Sequence, residues 1–205
     1  MTNAALPFAL EWLDYFGIAV FAASGALLAA EKKQTLVTFF FFAVVTGVGG
    51  GTLRDLLIGA PVFWMHNNAT LLICIAAALG VWIAGRGWLA GNAILWFDAL
   101  GLAAYSTFGA AKALSYHVAP VPAFAMGVLT ACVGGIIRDV LANEPSILMR
   151  PELYVTAAAL TSGLFVLLVL AGVPIWPASV AAALAGFVLR GLAIARGLAL
   201  PAFKE

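Results

Sequence analysis

Charge is what this chain has least of. Only 9% of its 205 residues are Asp, Glu, Lys or Arg, and they nearly cancel to a net +1, whereas soluble domains carry about 25%. That scarcity excludes an ordinary soluble domain, and the lack of any basic cluster excludes a nucleic-acid partner. Cysteine is confined to Cys74 and Cys132, each inside an apolar run, which fits packing rather than a disulfide framework or metal-ligand spacing. His66 and His117 sit in connections with no second ligand spaced nearby, so no metal site is expected. The N-terminus has no basic n-region and carries Glu11 and Asp14, unlike a cleaved signal peptide. No nucleophile–base set, phosphate loop or redox motif is present, so the chain reads as no enzyme and calls for no cofactor.

Apolar residues are abundant instead, at 64% of the chain with a mean hydropathy of +1.09. About 20 helical residues cross a bilayer. Seven stretches qualify, at 10–30, 35–60, 68–84, 94–114, 118–142, 153–173 and 178–194. The expected architecture is therefore an all-α integral membrane domain spanning 1–205, with the lipid bilayer as its surroundings. Lys32, Lys33, Arg86, Arg150, Arg196 and Lys204 collect on one side, with Arg190 near that end, against His66 and His117 on the other. By the positive-inside rule the N-terminus lies outside and the C-terminus in the cytoplasm, as in a bacterial inner membrane.

Residues 12–65 slide onto 96–149 without a gap, and 18 of those 54 positions are identical. Trp12/Trp96, Asp14/Asp98, Gly25/Gly109, Thr46/Thr130 and Pro61/Pro145 are among them, together with the pairs Arg54-Asp55 and Arg138-Asp139. Each copy holds three spans, an odd number, so the second enters from the opposite face. The result is an inverted repeat, about 10–84 and 94–173, with the seventh helix (about 178–194) left without a mate.

Spans two and five carry Gly49-Gly50-Gly51 and Gly134-Gly135. A continuous helix from Gln34 to His66 would reach ~48 Å against a ~30 Å core, and consecutive glycines each cost ~1 kcal/mol of helix propensity. A break near mid-membrane is expected in both spans. The freed carbonyls, with the hydroxyls of Thr46 and Thr130, would then serve passing ions. Close helix packing is the plainer reading of the same glycines.

Four charges follow those glycines, and at the membrane centre they would cost roughly 10–14 kcal/mol together. Adjacent helical residues diverge by about 100°. Arg54 is therefore expected to pair with Asp139 and Arg138 with Asp55, or each Arg with Asp14 or Asp98. As pore or gating charges they would line a path; as a capping arrangement around Thr52-x-x-Asp55 they would be a structural latch. Lys112 aligns with Leu28 and breaks the symmetry. It either snorkels to the headgroups or supplies a gating charge. Small residues such as Gly17, Ala22 and Gly25 are expected at contacts between protomers.

Seven spans arranged as two inverted triplets plus one, with GGGTLRD in the second and GGIIRD in the fifth, resemble the prokaryotic TRIC family of trimeric intracellular cation channels. The resemblance covers essentially the whole chain. It implies a homotrimer with one hourglass pore per protomer, permeation by monovalent cations (K+ with modest selectivity over Na+), and a pore surrounded by kinked second and fifth helices. Here those elements are Gly49, Gly50, Gly51, Arg54 and Asp55, then Gly134, Gly135, Arg138 and Asp139. The Lys-Glu-Val motif with which animal members bind phosphoinositide is absent, so that regulation is not implied. Related bacterial sequences described as glycine transporters keep a carrier of a small zwitterion in view, with a non-transporting scaffold as the third reading.

Overall fold

The computed structural model describes residues 8–85 and 92–201, with side chains from Trp12 onward. Arg86 and Lys204, two of the cations used for orientation, lie outside the described residues, as does the side chain of Glu11. Seven helices follow one another: α1 (Phe8–Glu31), α2 (Leu36–Leu57), α3 (Asn68–Ala84), α4 (Ala93–Ser115), α5 (Pro120–Leu141), α6 (Tyr154–Leu170) and α7 (Ile175–Arg196). Short 3-10 turns at Phe63–His66 and Ile147–Met149 precede α3 and α6. Among the described residues, five helices are long and apolar enough to cross a membrane. The other two, α3 and α6, have 17 residues each; at ~26 Å they sit at the lower limit for crossing.

The repeat is written into the backbone as well as the sequence. Residues in left-handed geometry occur in mates 84 apart, Lys33 (φ 53°) with His117 (φ 59°) and Gly59 (φ 68°) with Asn143 (φ 53°). After α2, Gly59 N–H donates to Leu56 O and Ala60 N–H to Asp55 O; after α5, Asn143 and Glu144 repeat the bonds onto Val140 and Asp139. Both helices thus end in a Schellman stop, with a proline two residues beyond.

Those stops correct the expectation of broken helices. Each of α2 and α5 runs as one uninterrupted 22-residue helix through its glycines, a length of ~33 Å that matches the bilayer. The apparent excess length between Gln34 and His66 is a helix, a tight stop and a returning 3-10 turn. Gly59-x-Pro61 and Asn143-x-Pro145 were the sequence signals for it.

The glycines instead permit contact. A Cβ on Gly50 would overlap the carbonyl oxygen of Thr130, and one on Gly134 the carbonyl oxygen of Thr46, so α2 and α5 cross backbone to backbone. Swapping each residue for its mate turns one contact into the other, which is what an antiparallel crossing on a two-fold axis requires. The same holds for α1 and α4. Gly17 packs on the Tyr105 ring and Gly101 on Phe21, while the two rings stack at 5.3 Å. Gly17, Ala22 and Gly25 are buried inside the protomer, which corrects their assignment to contacts between copies. Outward-facing Leu72, Trp82, Ile83, Leu160 and Leu167 are exposed, as lipid-facing residues are. Cys74 and Cys132 are buried and free.

Candidate functional site

Four of the predicted charges lie one turn or less from the ends of α2 and α5, and this decides where they go. The crossing falls between Thr46 and Gly50, so Arg54 stands some six residues, ~9 Å, beyond it. Arg138 stands equally far in the opposite direction, because the two helices run antiparallel. The charges therefore form two clusters on opposite sides of the two-fold axis, at opposite ends of the α2–α5 pair, and the cross-pairing of Arg54 with Asp139 and of Arg138 with Asp55 does not occur.

Each Arg pairs with the aspartate that follows it, contrary to the expectation for adjacent helical residues. Arg54 Nε donates to Asp55 Oδ1 at 2.8 Å, and Arg138 Nε to Asp139 Oδ1 at 2.9 Å. A divergence of 100° separates short side chains, but a long Arg at the last turn curls back across its neighbour. The other carboxylate oxygen reaches forward. Asp55 Oδ2 accepts from Phe63 N–H at 3.0 Å and Asp139 Oδ2 from Ile147 N–H at 2.9 Å, again mates. The capping alternative fails too. Thr52 Oγ1 donates back to Val48 O and accepts from Trp64 Nε1, and Asp139 lies in a last turn, not a first.

Beyond this shared frame the clusters differ. At the end near Ile147, Arg138 Nη1 reaches Asp98 Oδ1 at 2.6 Å and Ser24 Oγ at 2.9 Å, so the predicted pairing with Asp98 holds. The mate of Ser24 is Phe108, whose ring lies 5.0 Å beneath the Arg54 guanidinium. No ion pair joins Arg54 to Asp14 among the described residues. Lys112 takes the place of that symmetry instead, with Nζ 2.8 Å from Asp55 Oδ1. It is buried, not snorkelled. By formal charge, the Arg54 cluster (Arg54, Lys112, Asp55, Asp14) is neutral, whereas the Arg138 cluster (Arg138, Asp139, Asp98) is −1. The hydroxyls are unequal as well: Thr130 donates to Met126 O at 2.5 Å, while Thr46 Oγ1 has no partner among the described residues.

A cavity of about 500 Å³ leads to the second cluster. Arg138 and Asp139 are in its lining together with Leu27, Leu28 and Leu95, and Glu31, Lys33, Glu144 and Arg150 supply its other charges. Glu144, in that lining, forms an ion pair with Lys32. That pair lies outside the spans, and the Lys32 ammonium holds the Glu144 carboxyl below its ordinary value of 4.5.

One charged residue escaped the sequence reading. Arg190 counted only as an end marker, yet it is fully buried in α7, 2.5 Å from Glu152 and over the Tyr154 ring at 5.4 Å. Its position four turns into an apolar helix was the available signal, since a cation there requires a partner.

Comparison with known proteins places this geometry among relatives. A family model described as "Glycine transporter" matches twice, over residues 11–86 and 95–170. A UPF0126 membrane protein of Vibrio cholerae is 41% identical over 172 residues, covering 80% of this chain and 70% of its own. A UPF0126 inner membrane protein of Escherichia coli is 39% identical over 153 residues, 71% of this chain and 72% of the relative. Among solved structures, the TRIC trimeric intracellular cation channel orthologue from Rhodobacter sphaeroides superposes with a TM-score of 0.89 at 38% identity, over 94% of this chain and all of that one. A further TRIC cation channel structure gives 0.85 at 30% identity, over 98% of both chains.

Proposed function

The chain belongs to the prokaryotic TRIC family of membrane proteins, and from that premise we propose that it is a potassium-permeable monovalent cation channel, with one pore in each protomer of a homotrimer. The path runs across the membrane, perpendicular to the in-plane pseudo-two-fold, past the α2–α5 crossing and from one cluster to the other. Thr46, Thr130 and the glycine backbones line its middle, and Arg54, Asp55, Lys112, Arg138, Asp139, Asp14 and Asp98 set its charge. One observation carries the reading: a cavity of about 500 Å³ has Arg138 and Asp139 in its lining, and their cluster has a formal charge of −1. Excess negative charge in a cluster beside a confined cavity raises the local concentration of cations. The trimeric and inner-membrane relatives support the same assembly and setting for this chain; the N-terminus is assigned outside and the C-terminus to the cytoplasm, where Lys32, Lys33 and Arg150 gather.

Planar-bilayer recording of the purified protein tests this, with discrete unitary potassium currents as the expected result. Asp139→Asn should lower cation over anion selectivity, because it removes one of the carboxylates that line the cavity. Protein that is silent in bilayers yet supports saturable glycine uptake in vesicles would establish the second reading, a carrier of a small zwitterion. That reading has its own support: the inverted repeat, common among carriers, and a cavity reaching one cluster from one end.

A further inference from the structure

Past each Schellman stop the chain doubles back and lays its 3-10 turn over the helix end. A single carboxylate holds each turn down: Asp55 Oδ2 on Phe63 N–H, Asp139 Oδ2 on Ile147 N–H. The Oδ1 atoms of the same carboxylates hold the cluster cations. Any redistribution of cations at Oδ1 is therefore felt at the turn through one rigid group.

What each turn carries is different. The Phe63 ring lies 5.8 Å from the Arg54 guanidinium and 5.8 Å from the Lys112 ammonium. It presses on Gly51 so closely that a Cβ there would stand 2.6 Å from the ring edge. Trp64 adds a bond from Nε1 to Thr52 Oγ1 at 2.9 Å. On the opposite face Ile147 has no ring, Gly135 faces the Tyr154 hydroxyl instead, and Ile147 and Asp139 both line the cavity. The third glycine of Gly49-Gly50-Gly51 thus has a use that the crossing does not explain.

Resting on the pathway reading above, we infer that Phe63 is the gating residue of the mouth on the Lys112 side. It is an aromatic stopper seated on Gly51, held by two cations and latched by Asp55, and the opposite mouth has no counterpart. A cation leaving through that mouth displaces the ring from Arg54 and Lys112, and the Asp55 latch sets how readily it swings.

The test reads exposure, not transport. Lys112→Cys is placed in a Cys74→Ala, Cys132→Ala background, leaving Arg54 beneath the ring. The purified protein in detergent is then treated with a charged thiol reagent, and the rate is followed by mass. With Phe63 present the reaction is slow. Phe63→Ala, and separately Gly51→Ala through loss of the seat, accelerate it about tenfold, while Ile147→Ala leaves it unchanged. Phe63→Leu keeps bulk without a ring and falls between. The inference is overturned if monodisperse Phe63→Ala and Phe63→Leu proteins react no faster, or if the introduced thiol already reacts at a fully exposed rate with Phe63 in place. Because no ion need pass, an absence of potassium current would sink the channel reading and leave this measurement standing.

Discussion

At the scale of single residues, Arg54 and Arg138 occupy matching positions but carry unequal burdens. Asp55 has both Arg54 and Lys112 within ion-pair distance, whereas Arg138 is the only cation in ion-pair contact with Asp98 and Asp139 among the described residues. Arg138→Met strands two buried carboxylates and is expected to cost about 3–5 kcal/mol. Arg54→Met leaves Asp55 with Lys112 and should cost clearly less. Denaturant titration of the two variants measures the difference, and equal losses would contradict the asymmetry. The Lys32–Glu144 pair gives a pH signature. Because Glu144 is depressed in the folded protein, its contribution is present above the unfolded carboxyl value and is lost as pH falls through the folded one. Glu144→Gln should therefore lower the melting temperature near neutral pH and make no difference in acid well below 4.5.

At the scale of helices, the α2–α5 crossing turns on the absence of two side chains. Gly50→Ala and Gly134→Ala each force a methyl into a facing carbonyl, and overpacking of this kind costs about 1–3 kcal/mol. Gly80 of α3 faces open space, so Gly80→Ala should be neutral or stabilising by up to ~1 kcal/mol through helix propensity. Comparing the three variants by thermal unfolding separates packing from propensity. Seven helices, their order and their approximate ends were legible because apolar length alone specifies a span. The expected unwinding is absent because glycine runs have two physical uses, loosening a helix and letting another helix touch it. Composition cannot choose between them; the facing carbonyls of Thr46 and Thr130 do. Gly25 and Gly109 serve the same close packing, against Phe42 O and Thr130 Oγ1.

Across the whole molecule, symmetry is kept in the backbone and broken in the side chains. Stops, latching aspartates and crossings map onto their mates, while Leu28/Lys112, Ser24/Phe108 and Ile147/Phe63 do not. Lys112→Leu makes the two ends more alike and leaves the Arg54 cluster at −1 by formal charge. If ions pass there, reversal potentials under a KCl gradient should shift toward greater cation selectivity; an unchanged value would remove Lys112 from the path.

The order of residues by itself determined the membrane setting, the helix count and the inverted duplication, because hydrophobic length and an 84-residue offset are one-dimensional properties. It also singled out both Arg-Asp pairs and Lys112, since a charge in an apolar helix stands out wherever it folds. Only the tertiary structure decided that each Arg turns to its own neighbour, that the pairs sit on opposite sides of the α2–α5 crossing, and that Phe63 closes over one of them. Those outcomes depend on side-chain reach and on which helix ends the crossing brings together, and neither quantity exists until the helices are packed.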